Sequence, residues 1–199
     1  SGVVIISYPG TTPMMAGGNV TIAGNTVVHT FTASGYLTPF VNMNNSLRFR
    51  QSGSAYLSRT PTTAGNRKTW TWSGWVKRGS LSSLQALETV ASGGNADSFA
   101  FFSSDTLRFY GAGQSSGLTT NAVFRDPAAW YHVVLAMDTT QATASNRTKL
   151  YVNGIQQTFS GSDYLSQNTD TAFNSTAGHY IGRYLNQSMP TGNLDGYVA

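Results

Sequence analysis

The sequence has no cysteine. Disulfides, thiolate metal sites and a cysteine nucleophile are therefore excluded. It is also short of charge, with 10% of its 199 residues charged where about 25% is usual for a globular domain. Ser, Thr, Asn, Gln and Gly must solubilise its surface. Glu is represented once, at Glu88, and this scarcity of charged helix formers argues against helical bundles, coiled coils and doubly wound nucleotide folds. No run of 18 apolar residues occurs, so no membrane helix is expected. The opening Ser1 to Tyr8 lacks the basic start and long apolar stretch of a signal peptide. Both termini read as cuts through a longer polypeptide.

What is present points to an all-β protein. The hydrophobic share is 40% and the aromatic share 12%, enough for a core and against disorder. The net charge of +4 comes from 12 basic and 8 acidic residues. The basic residues are scattered, as in Arg48, Arg50, Arg67 and Lys68, rather than interleaved with aromatics in a stripe. Nucleic acid is not expected as a partner.

Residues 1–40 carry no acidic or basic side chain and read as a glycine-rich β-segment. Val20 to Ile22 and Thr26 to Phe31 alternate around Gly24-Asn25, a hairpin signal. This piece is too poor in large side chains to stand alone, and is expected to stack on a neighbour or on other copies of itself. From residue 41 to 199 the pattern becomes that of a β-sandwich, with short strands punctuated by turns. Thr69 to Arg78 is the strongest strand, placing Trp70, Trp72, Gly74 and Val76 on one face and Trp75 on the other. Trp130 to Met137 is nearly continuous apolar, and Lys149 to Phe159 turns at Asn153-Gly154.

Four motifs in order then carry a resemblance. Trp72-Ser73-Gly74-Trp75-Val76-Lys77-Arg78, Trp130-Tyr131-His132-Val133-Val134 with Lys149-Leu150-Tyr151-Val152-Asn153-Gly154, His179-Tyr180-Ile181-Gly182-Arg183, and Leu194-Asp195-Gly196-Tyr197-Val198 resemble the laminin G-like branch of the concanavalin A-like lectin/glucanase superfamily. The resemblance covers residues 46–199 and implies a jelly-roll β-sandwich; the family's closing strand runs on beyond Ala199. The wording, including Phe124 to Pro127 and Asp138 to Thr143, is similar to modules of marine bacteriophage tail-fibre and appendage proteins. Residues 1–32 resemble the end of the glycine-rich domain that precedes such modules. The resemblance implies a virion or extracellular location, and assembly into homo-oligomers, with trimers favoured.

The chemistry on offer is sparse. A glycoside hydrolase on this fold needs two carboxylates flanking the scissile bond, yet Glu88 stands alone and no acidic pair occurs at i, i+2. Asp97, Asp105, Asp126, Asp138, Asp163 and Asp170 fall in turn-like segments, where aspartate satisfies its own backbone. His29, His132 and His179 have no metal-ligand spacing, and His132 falls at a position the resemblance assigns to core packing. Gly111 to Gly117 suggests a phosphate loop but lacks the lysine and the helix, so it reads as a flexible loop. Many laminin G-like domains bind Ca²⁺ at a sandwich edge, for which Asp97 and Asp138 are the available starts; no loop offers the six to eight oxygens required. Carbohydrate needs aromatic faces and uncharged polar groups on rigid loops. Loops 95–98, 114–121 and 164–174 have that chemistry, with Tyr164, Gln167, Asn168 and Asp170 as first candidates. The expectation is a non-enzymatic virion surface module for glycan adhesion or fibre assembly, against a glycoside hydrolase or a bacterial surface or matrix-binding protein.

Overall fold

The computed structural model describes residues 2–35, 37–39, 45–91, 96–111, 113–185 and 192–199. It forms two compact units, Ser1–Asn44 and Asn45–Ala199. Among the described residues no helix is long and apolar enough to cross a membrane.

The first unit has strands β1 (Val4–Pro9), β2 (Met15–Ala16), β3 (Asn19–Ala23), β4 (Thr26–Phe31) and β5 (Thr38–Pro39). The hairpin around Gly24-Asn25 forms as read, and β1 joins it in a three-stranded antiparallel sheet ordered β1-β4-β3; β2 and β5 make a separate ribbon. Register places Ile6 opposite His29 and Val20 on its other side. His29 is fully buried. Its Nδ1–H donates to the Gly17 carbonyl at 2.8 Å and its Nε2 accepts from the Tyr8 hydroxyl at 3.1 Å. That hydroxyl oxygen accepts the N–H groups of Met14 and Met15 in turn. The small unit is thus fastened by hydrogen bonds around one histidine, while Val3, Val4 and Ile5 remain 57–63% exposed.

The second unit is the sandwich. Its strands are β6 (Leu47–Phe49), β7 (Leu57–Arg59), β8 (Thr69–Arg78), β9 (Gln85–Val90), β10 (Asp97–Phe101), β11 (Leu107–Tyr110), β12 (Leu118–Thr119), β13 (Tyr131–Asp138), β14 (Thr148–Val152), β15 (Ile155–Gln156), β16 (His179–Ile181) and β17 (Gly196–Val198). One six-stranded sheet has the order β15-β14-β13-β8-β17-β6, the other β12-β11-β10-β9-β16-β7. We call them the β8 sheet and the β9 sheet. The fold is the all-β jelly roll.

Alternation decides what each face meets. On β13, Tyr131, Val133, Leu135 and Met137 are buried while His132, Val134, Ala136 and Asp138 are half-exposed. On β8, Trp70, Val76 and Arg78 are buried, and the odd positions face away from the partner sheet. Trp70 stacks on Phe173 with ring centroids 4.4 Å apart, and its indole N–H donates to the Thr171 hydroxyl at 2.9 Å. Gly74 leaves room for the Trp72 ring, which lies 3.0 Å from where a Cβ would stand.

An ion pair is buried outright. The Arg78 side chain is 0% exposed, 3.0 Å from the Asp105 carboxylate, and its guanidinium lies over the Phe101 ring and donates to the Phe124 carbonyl. Asp105 therefore does more than close its own turn: its second oxygen takes Arg125 Nε at 3.0 Å and its first takes the Ser82 N–H at 2.7 Å. Burial alone would raise this carboxyl, but the Ser82 amide and the two arginines hold it below its ordinary value.

Candidate functional site

Among the described residues, the half-exposed face of the β8 sheet combines aromatic, hydroxyl and amide side chains. Register sets His132 opposite Trp75, Val134 opposite Ser73, Ala136 opposite Thr71 and Asp138 opposite Thr69; Lys149 and Tyr151 follow on the other side of β13. These residues make one strip, with small side chains in the middle and functional groups at both ends. At one end the Trp75 and His132 rings stack at 4.8 Å, and the His132 Nε2 lies 3.2 Å from the Ser73 hydroxyl. At the other end a depression of about 380 Å³ is lined by Thr69, Thr71, Asp138, Gln141, Asn146 and Lys149 among others. Thr71 and Trp75 are four residues apart on one strand, so the strip is roughly 13 Å long, enough for two or three sugar rings.

Asp138 organises the depression. Its carboxylate accepts the Thr140 hydroxyl at 2.6 Å, the Gln141 amide at 2.7 Å, the Thr140 N–H and the Thr69 hydroxyl. Hydrogen bonds from the Thr140 and Gln141 side chains favour the charged carboxylate and hold its pKa below the ordinary aspartate value. With four internal donors it fixes its neighbours. The hydroxyls, amides and one ammonium around it present donors and acceptors without a strong net charge.

His132 was expected in the core. It stands on the outer face instead, because its neighbours Tyr131 and Val133 occupy the inward positions of the strand. Trp75 is the residue that reading by loops misses. The alternation of Thr69 to Arg78 separates it from Trp70 and Trp72, which was the available signal.

The loop candidates do not converge. Tyr164 meets Phe159 edge-on at 6.3 Å. The Gln167 amide donates to the Thr140 carbonyl at 3.0 Å, and the Asn168 N–H donates to the Thr139 carbonyl at 2.8 Å from a left-handed turn with φ 61°. Asp170 is exposed. Gln167 and Asn168 thus brace the corner behind Asp138, while Tyr164 belongs to another part of the surface.

The supposed flexible loop before β12 is pinned. Ala112 lies outside the described residues, but the N–H groups of Ser115, Ser116 and Gly117 all donate to Asp163 Oδ2, at 2.9, 2.6 and 2.8 Å. This nest would suit a phosphate, and the chain fills it with its own carboxylate. Leu118–Thr119 then continues as strand β12 against β11.

Asp97 and Asp138 come from different sheets. Residues 92–95, which precede Asp97, lie outside the described residues. Asp97 itself is not in a turn: it opens β10, faces inward at 3% exposure, and accepts the Ala172 N–H at 2.6 Å. Alternation with Phe99 and Phe101 forces that direction. Among the described residues no group of three or more His, Cys, Asp or Glu is placed to hold a metal.

Glu88 also faces inward, opposite Phe99 on β10 and Ile181 on β16. Burial pushes its carboxyl up to about 7, against a hydrogen bond from Trp72. It lines a cleft of about 500 Å³ with Leu57, Ile181, His179 and others. Asp97 is diagonal to it on the neighbouring strand, but is sealed from any sugar.

The sheet order defines a jelly-roll domain. The family model described as the concanavalin A-like lectin/glucanases superfamily, in its laminin G-type form, matches residues 49–198; the chain belongs to that family. No curated protein sequence matches it. Among solved structures it is similar to domains LG4-5 of the mouse laminin α1 chain, with a TM-score of 0.55 and 13% identity over 77% of this chain and 40% of that one. It is similar also to a Trypanosoma rangeli sialidase in complex with sialic acid (TM-score 0.47, 21% identity, 67% of this chain and 20% of that one). A third is the CBM40 of the Ruminococcus gnavus IT-sialidase bound to α2,3-sialyllactose (0.47, 16%, 66% and 72%). The chain thus spans well under half the length of the laminin and Trypanosoma chains. At these identities the likeness is one of fold.

Proposed function

We propose that the protein is a non-catalytic glycan-binding module displayed on a virion, in a tail fibre or appendage, with the strip between Thr71 and Trp75 as its sugar site. The observation that carries the binding reading is the pairing, on one exposed sheet face, of a stacked indole with a depression lined by hydroxyls, amides and a lysine. Sugars need apolar ring surface plus neutral hydrogen-bonding groups, and that strip supplies both on rigid strands. The non-catalytic reading rests on Glu88, whose nearest inward carboxylate, Asp97, is buried and held by backbone.

The virion setting rests on the sequence resemblance to phage appendage modules. It is supported by the first unit, which carries no Asp, Glu, Lys or Arg and exposes Val4 and Ile5 on its edge strand. An uncharged apolar edge is what soluble monomers avoid. In a trimeric fibre it would be covered by copies of itself.

Affinity electrophoresis tests the binding reading. The protein should be retarded in a gel carrying a surface polysaccharide of its host and should release no reducing ends from it. Unaltered migration across a panel of such polysaccharides would leave only scaffolding, and sugar release would restore the hydrolase. Peptide mass spectrometry of purified particles checks the virion setting, with absence from them pointing to a bacterial surface protein.

A further inference from the structure

The inner face of the β9 sheet contains a carboxyl where the pattern calls for an apolar residue. Register aligns Leu57, Ile181, Glu88 and Phe99 in one inward row across β7, β16, β9 and β10. Three of the four are hydrophobic. Glu88 is half-buried, and it enters no ion pair among the described residues. Its hydrogen-bond partner is the indole of Trp72, which itself packs edge-on against Phe99 at 5.3 Å.

A carboxyl in that position costs stability unless something pairs with it. The cleft beside it, about 500 Å³ and lined also by Pro61 and Ser58, has room for a small molecule. The other ionisable groups on its lining are Arg59 and His179. Both ring nitrogens of His179 are engaged: Nε2 accepts the Asn174 N–H at 3.0 Å, and Nδ1 donates to the Ala177 carbonyl at 2.9 Å. Arg59 is exposed on the edge strand, two strand spacings across and two residues along from Glu88, roughly 12 Å away between backbones. Glu88 is therefore the group left to receive a ligand.

We propose that this cleft binds a small organic cation, a primary ammonium on an apolar stem, with Glu88 as counter-ion. The stem lies against Leu57, Pro61 and Ile181. The ammonium makes a charge-assisted contact with the carboxylate in a largely apolar cleft, where such a contact is strong. A Glu88 carboxyl that is protonated before binding gives up its proton to solvent as the cation arrives. The site is separate from the strip on the β8 sheet, and does not depend on the glycan reading.

The test uses the whole chain and n-butylammonium, with butan-1-ol as the uncharged probe of similar shape. Four indole N–H signals are expected from the four tryptophans, and the Trp72 signal should move saturably with n-butylammonium at pH 8. Butan-1-ol should bind at least about tenfold more weakly, the worth of one charge-assisted contact. Glu88→Gln keeps an oxygen acceptor for the Trp72 indole and should lose about tenfold or more in n-butylammonium affinity. Without any variant, lowering the pH below 7 should weaken binding by about tenfold per unit, since the cation competes with the proton. Equal affinity for the alcohol, pH-independent binding, or no movement of the Trp72 signal would each overturn the proposal.

Discussion

Asp105→Asn should cost about 3–5 kcal/mol of folding stability, the penalty for leaving a buried charge without its partner. Arg78 is 0% exposed and pairs with Asp105 at 3.0 Å, so the variant strands a guanidinium between the sheets. Asparagine is the clean replacement. Position 105 has φ 62°, a left-handed conformation that Asn accepts as readily as Asp. The Ser82 amide keeps its acceptor. The charge is lost, with the acceptor for the exposed Arg125 side chain, and urea unfolding followed by tryptophan fluorescence reads the result. Adding Arg78→Met should recover most of the loss, because a buried pair replaced by apolar groups is often near neutral. The pH dependence has a fixed sign. The Asp105 carboxyl lies below its ordinary value in the folded state, so its stabilisation is fully present above the unfolded value of about 3.9 and is lost as pH falls through the folded one. Asp105→Asn should be flatter in stability across that acid range than the wild type.

Trp75→Ala should weaken polysaccharide binding by about 2 kcal/mol or more, roughly thirtyfold in Kd, as removal of a central aromatic anchor does. The folded state should survive the change. Trp75 is half-exposed, stacks on His132 at 4.8 Å and is absent from the hydrophobic core that holds Trp70 and Trp72. Its backbone pairs with Ala199 in both directions, at 2.9 and 3.0 Å, and those bonds need no indole. Retardation in polysaccharide gels separates the cases. Trp75→Phe should retain part of the affinity, and Trp75→Ala should migrate as in a plain gel. A thermal transition close to that of wild type would show that binding alone was lost.

Much of the fold was legible because period-two alternation is a direct record of which side chains meet the core. The strand Thr69 to Arg78 reads correctly in its extent and its two faces, with Trp75 opposite to Trp70 and Trp72, but not in the fate of every residue. Its last residue is the exception. An arginine closing a strand after Lys77 looks like a solvated cation, and only the distant turn at Asp105 explains why it can be buried. Nothing within a few residues of either position signals the other. The site was less legible for a different reason. Tyr164, Gln167, Asn168 and Asp170 have the residue types sugars use, but those same groups also tie loops down, as Gln167 and Asn168 do on Thr139 and Thr140. Asp163 repeats the lesson by filling its own anion nest. A sheet face leaves a weaker trace, since alternation names two faces without saying which one remains open. Asp97 and His132 were exchanged on that account, one buried and the other displayed.

The most direct measurement is a two-dimensional amide and indole NMR titration of the whole chain with an oligosaccharide from a polysaccharide it retains. The account predicts shifts that centre on Thr71, Ser73, Trp75, His132 and Lys149, with the Trp75 indole moving furthest. Shifts confined to 164–170, or to the Glu88 cleft, would contradict it.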